Sequence, residues 1–141
     1  MEQNLQLIYA YKVKRAYERM CQPLCNQIGL PRTAFDILMF LGNHPTLNAA
    51  KDIVEIRGLK ANHVSINVER LVNDGYLQRK EDTKDRRRMI LLCTDKAGPI
   101  LAEGREMQRL FYEKLSKGIS HESLESFKAT MMKIIDNTEE I

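Results

Sequence analysis

Three consecutive arginines, Arg86, Arg87 and Arg88, stand directly before an apolar run in EDTKDRRRMILLC, residues 81–93. Like charges this close repel, so such a row is favoured where negative charge faces it. Arginine presents a planar, permanently charged fork that suits phosphate oxygens and fits a narrow minor groove. A turn that needed only solubility would be served by alternating Lys and Glu with less repulsion. Asp85, beside Arg86 and Arg87, is suited to hold one guanidinium and organise the turn, and Lys84 adds a further cation. Residues 79–88 carry six Lys/Arg against three acids, whereas the whole chain carries only +3, from 22 Lys+Arg and 19 Asp+Glu. The last 23 residues are acidic. The basic charge is therefore local, and its position rather than its sum points to a partner.

A second set of candidates lies just upstream, on a helix expected over residues 61–73. At ~100° per residue, Val68 and Leu71 fall within about 40° of Val64, which marks the core side. Asn62, Ile66, Glu69 and Asn73 then lie opposite, flanked by His63, Ser65 and Arg70. Asn pairs in a bidentate way with adenine, Ser reads either kind of base edge, and an exposed Ile meets a thymine methyl. Asn62, His63, Ser65, Ile66 and Arg70 are thus base-proximal candidates. Lys60, Lys84, Arg86, Arg87 and Arg88 are candidates for phosphate or minor-groove contact. The far side of any amphipathic helix is polar, but an apolar residue at its centre suits a groove better than plain solvent.

These groups need a scaffold, and the periodicity predicts one that is mainly α with a small β-hairpin. Residues 3 to about 28 read as a long helix striped by Val13, Ala16, Tyr17, Met20, Cys21 and Leu24, with Pro23 expected to kink or shorten it and Gly29 to stop it. A second helix follows Pro31 and Arg32, with Phe35, Leu38, Met39 and Gly42 along one stripe, and GNHP (42–45) breaks it. A third runs through NAAKDIVEIR, burying Ala49 or Ala50, Ile53, Val54 and Ile56, and Gly58 separates it from the helix over 61–73. After Asp74-Gly75 the period becomes two, and YLQRK and RMILLC read as strands joined by the arginine turn. Met89, Leu91 and Cys93 share one strand face, with Cys93 expected in the core.

Two long helices finish the chain, striped by Ile100, Met107, Leu110, Phe111 and Leu115, then by Leu124, Phe127, Met131, Ile134 and Ile135. Two helices joined by a Gly-containing turn and followed by a hairpin make a winged helix-turn-helix. We expect one domain over 1–141, with residues 46–94 as the DNA-binding lobe. One small centre cannot cover three striped flanking helices, so residues 1–30 and 95–141 are expected to bury them against a second copy.

The totals exclude other classes. The 141 residues suffice for one cooperative domain, and 43% hydrophobic with 29% charged residues describes a folded chain. No signal-peptide pattern opens it and no apolar run approaches the ~20 residues that cross a bilayer. Three cysteines without framework spacing fit free thiols in the cytoplasm. His44, His63 and His121 are scattered without metal-ligand spacing, so no metal and no cofactor is expected. No nucleotide-binding Gly-rich loop, G-x-S-x-G or H-E-x-x-H occurs, and no catalytic residue or enzyme is expected. Cys21 and Cys25, at i and i+4, read either as buried apolar residues or as a thiol pair that senses oxidants. Tyr9, Tyr11 and Tyr17 suit a crevice or, more commonly, an interface between copies.

NHVSINVERLVNDGYLQRKEDTKDRRRMILLCT, residues 62–94, resembles the core of the multiple-antibiotic-resistance regulator (MarR) family. VERLVNDGYLQR and the wing Asp82-Thr83-Lys84-Asp85-Arg86-Arg87 carry the likeness, the latter to the family's Asp-Pro-x-Asp-x-Arg pattern. The resemblance implies a homodimeric winged-helix regulator of transcription, most simply a repressor, on double-stranded DNA. It places the fourth helix in the major groove and the wing arginines in the adjacent minor groove, and implies a small-molecule effector crevice found in many members. The sequence departs at Lys60, where a capping Ser is usual, and after the wing, where Gly98 comes one place late and Pro99 follows. The reading from another class is a protein–protein adaptor on the same scaffold, whose activity would survive neutralisation of the wing.

Overall fold

The computed structural model describes residues 4–141. Its order is α1 (Leu5–Ile28), α2 (Arg32–Asn43), α3 (Ala50–Arg57), α4 (Ala61–Asn73), β1 (Leu77–Glu81), β2 (Met89–Cys93), a 3-10 turn (Asp95–Ala97), α5 (Gly98–Leu115) and α6 (His121–Thr138). The expected first helix position at Gln3 lies outside the described residues. This is a mainly α chain with one two-stranded antiparallel hairpin, the winged helix-turn-helix class expected from its periodicity. The chain forms two compact units, one through Gln108 and one from Arg109 to Ile141, with the boundary inside α5.

The first unit is built around α2, whose residues Ala34–Leu41 are all buried. α1 lays Cys21 and Cys25 on it, with Tyr17, Met20 and Leu24 half-buried beside them. α1 continues through Pro23 to Ile28, so of the expected kink or early end the early end does not occur. Pro23 is exposed, so water can take the backbone carbonyl that its missing N–H leaves unpaired. The helix stops at Gly29, whose φ of 72° closes it with an N–H bond to the Cys25 carbonyl.

α5 crosses α2 at close range because each helix offers a glycine to the other. A Cβ on Gly104 would collide with Met39 Sδ, and one on Gly42 with the Leu101 side chain. Neither contact follows from a local signal. α3 buries Ala49 and Ile53 at its start, while Val54 is half-buried. Ile56, expected in the core, is 57% exposed, because eight residues of helix offer only one narrow stripe to α2 and α4.

The second unit holds the end of α5 and all of α6. Ser120 caps α6 by accepting the Ser123 N–H at 3.1 Å. No residue of α6 is buried, and Phe127, Met131, Ile134 and Ile135 are between 39% and 57% exposed. Among the described residues no helix is long and apolar enough to cross a membrane.

Candidate nucleic-acid interface

α4 turns Val64, Val68 and Leu71 into the core at 1%, 4% and 0% exposure, as its periodicity demands. The turn before it passes through Gly58 at φ 69°, a conformation that a side chain would strain. The start of α4 carries no side-chain cap: Lys60 contributes only its carbonyl, to the Val64 N–H at 3.0 Å. Asn62, His63, Ser65 and Arg70 are exposed, and Ile66, in their midst, is 67% exposed. Arg70 lies 3.6 Å from Asp74 on the next turn. Asn67 donates to the His63 carbonyl at 2.8 Å, which leaves the helix with one uninterrupted polar face around an apolar centre.

The hairpin pairs Leu77 with Cys93 and Glu81 with Met89, and it leans on the lobe through Leu77 and Leu91, 2% and 4% exposed. Cys93 is half-buried and its thiol donates to the Leu38 carbonyl at 3.9 Å. Met89, on the same strand face, is 44% exposed because it sits at the tip end. Glu69 of α4 accepts from Arg79 of β1 at 2.6 Å, tying the reading helix to the wing.

Two aspartates build the wing loop. Asp82 accepts the Lys84 N–H and Asp85 the Arg87 N–H, each at 3.0 Å. The loop closes with Asp82 N–H to the Arg88 carbonyl and Arg88 N–H to the Asp85 carbonyl. The Asp85 carboxylate thus shapes main chain, where the sequence suggested it would hold a guanidinium. Lys84, Arg86 and Arg87 remain exposed, and neither arginine has an ion-pair partner among the described residues.

Arg88 differs from its neighbours. Its guanidinium Nη2 donates to Asp52 Oδ2 at 3.1 Å and to Asn48 Oδ1 at 3.2 Å. Sequence reasoning missed Asn48 and Asp52. The signal available was an acid at the third position of α3, where Asp52 also accepts the Ala49 N–H at 3.0 Å; its bond to Arg88 has no counterpart in local spacing.

Cys21 and Cys25 face the core side of α1 rather than this interface. Burial pushes the Cys21 thiol up from 9.0 to about 11, and Cys25 upward as well, with the nearby Asp36 adding to both. They are held as neutral thiols, a poor arrangement for a sensor that reacts through its thiolate. No group of His, Cys, Asp and Glu among the described residues is arranged to hold a metal ion. Of the tyrosines, Tyr9 and Tyr11 are exposed, and Tyr17 accepts from Gln108 at 2.9 Å.

The MarR family model matches residues 28–88. Among solved structures, the transcriptional regulator PA3341 superposes with a TM-score of 0.86 at 17% identity, covering 97% of this chain and 99% of that one. A MarR protein from Peptoclostridium difficile gives 0.81 at 18% identity, over 99% and 90% of the two chains. A MepR variant from S. aureus, bound to an oligodeoxyribonucleotide, gives 0.57 at 17% identity over 98% of each. A search of curated protein sequences finds no match. Residues 28–88, which hold the helix-turn-helix and the wing arginines, match the MarR family model, and along almost its whole length the chain shares the fold of these transcriptional regulators.

Proposed function

We propose that this chain is a sequence-specific DNA-binding regulator that acts as a homodimer, most simply as a ligand-responsive repressor. The observation that carries the reading is one surface: the polar face of α4 around exposed Ile66, beside a wing whose Arg86 and Arg87 are exposed and make no ion pair among the described residues. Asn62, His63, Ser65, Ile66 and Arg70 face base edges in the major groove. Lys60, Lys84, Arg86 and Arg87 take phosphates or the neighbouring minor groove, with Asp85 shaping the loop that presents them. The exposed apolar residues of α6, such as Met131, Ile134 and Ile135, suit burial against a second copy. A dimer of this kind sets two reading helices about one helical turn (~34 Å) apart and calls for a pseudo-palindromic operator. An effector would act by favouring one spacing of the two heads over another.

Selection of bound fragments from the source genome by the purified protein, repeated over a salt series, tests the reading. The expected result is enrichment of a few fragments sharing an inverted repeat. Binding without enrichment, lost uniformly as salt rises, would leave only charge attraction and bring forward a scaffold that docks proteins.

A further inference from the structure

We propose that Arg88 acts on the protein rather than on nucleic acid, as the positioning residue that sets the wing against the helix-turn-helix through Asp52 and Asn48. Its functional consequence rests on the DNA-binding reading above; its structural part does not. Arg88 stands at the foot of the wing loop, where its main chain bonds to Asp82 and Asp85 and closes the tip. Its side chain then leaves the tip. The guanidinium reaches 36 residues back to Asp52 near the start of α3, and 40 back to Asn48 just before it.

Three features show a built joint rather than a loose surface pair. Arg88 Nε is buried without a partner, a desolvation that an arginine on its way to a phosphate need not accept. Asp52 Oδ2 is already fixed by the Ala49 N–H, so the acceptor is held before the arginine arrives. Asn48 is held too: its side-chain amide donates to the Pro45 carbonyl at 3.2 Å, and its main-chain carbonyl accepts the Leu91 N–H of β2 at 2.7 Å. The wing is therefore joined to the entry of α3 at two points, the Arg88 side chain and the Leu91 main chain. α3 in turn leads through the tight Gly58 turn to α4. The joint holds Arg86 and Arg87 at a set reach from Asn62 and Ser65, and reach matters because the grooves of a duplex are a fixed distance apart.

Charge gives a discriminating sign. Removing an acid from a DNA-binding lobe strengthens binding if charge alone matters. If Asp52 anchors the wing, Asp52→Asn weakens it. Likewise Arg88→Lys keeps the charge but replaces the flat terminal Nη2, which alone donates to both Asn48 and Asp52, by a more strongly hydrated ammonium on a stem of different reach.

The experiment has two arms. On the free protein, amide hydrogen exchange is compared for Arg88→Ala, Arg88→Lys and wild type. The joint predicts faster exchange in residues 45–57 and 77–93 with unchanged protection in α2, which also shows that the variants fold. On duplexes recovered by the selection described above, and on a mixed-sequence duplex, affinity is measured against salt. Arg88→Ala, Arg88→Lys and Asp52→Asn should each weaken binding to the recovered duplexes by about tenfold, the doubly substituted Arg88→Ala/Asp52→Asn being no worse. The salt slope of Arg88→Ala should match that of wild type. Unchanged exchange, rescue by Lys, or a slope reduced by ~0.9 would each overturn the assignment and return Arg88 to the phosphate contacts. If wild type selects no sequence, the DNA reading falls, and the exchange arm alone decides the joint.

Discussion

Arg57, the last residue of α3, reaches within 3.3 Å of the carboxylate of Asp36 on α2. That carboxylate is 3% exposed and is held also by Arg32 at 2.9 Å, which lies 3.6 Å from Glu18 of α1. Two acids, Asp36 and Glu18, thus join α1, α2 and α3 by charge through Arg32 and Arg57, and α3 leads into the reading helix.

Removing Asp36 leaves two arginines without their shared partner. Both are partly exposed, at 27% and 37%, so they can turn toward water, which lowers the cost below that of a fully buried pair. Asp36→Ala is expected to lose about 2 kcal/mol of stability. A shift of the denaturant midpoint at constant slope is the measurement, and a variant as stable as wild type would remove the joint from the account of the core.

Alkaline pH should weaken the fold through Cys21. In the unfolded chain its thiol ionises near 9.0, while in the fold burial holds the proton to about 11. Between those values unfolding releases a proton, so rising pH favours the unfolded chain. The stability is fully present below 9.0 and gone above about 11, falling by at most ~1.4 kcal/mol per pH unit for this group. Denaturant midpoints across that window should fall less steeply in Cys21→Ala. At neutral pH both Cys21 and Cys25 should resist alkylation until the protein is unfolded.

Arg87→Ala should weaken binding to every duplex and flatten the salt dependence by about one unit of slope for one lost phosphate contact. If the guanidinium enters a narrow minor groove instead, the loss will track the A/T content beside the site. Affinity and slope both unaltered would remove the wing tip from the interface.

Asn62→Ala should cost roughly 1–3 kcal/mol at one base pair and relax the preference there. A loss spread evenly over all sequences would place Asn62 on the sugar–phosphate backbone.

Ile134→Lys and Ile135→Lys test the α6 surface. Both side chains are more than half exposed in the single chain, at 57% and 55%. Buried between copies, each charge would lack a partner, so sedimentation should show dissociation with α6 still helical. Dimers of unchanged strength would place the contact elsewhere.

Much of the fold could be read in the sequence because its signals are local. The change of period from helical to two after Asp74-Gly75 marks the hairpin, and Gly29 and Gly58 end their helices with the positive φ that glycine permits. The core face of α4 follows from the spacing of Val64, Val68 and Leu71 alone. Misreadings arose where a local rule met its surroundings. Pro23 does not end α1, because the carbonyl it leaves unpaired, that of exposed Arg19 four residues earlier, can turn to water, and Ile56 stays outside because a short helix buries only one stripe.

The sequence by itself determined the order of elements, the buried side of the reading helix and the place of the basic wing, since each depends on neighbours within a few residues. Tertiary structure decided what the residues do with that placement. Three adjacent arginines look alike along the chain, yet among the described residues only Arg88 makes an ion pair, with a carboxylate supplied by a helix 36 residues earlier. Asp36 meets Arg57, and Gly104 makes room for Met39, for the same reason. Such pairings depend on how helices cross, and no spacing along the chain encodes the geometry of a crossing.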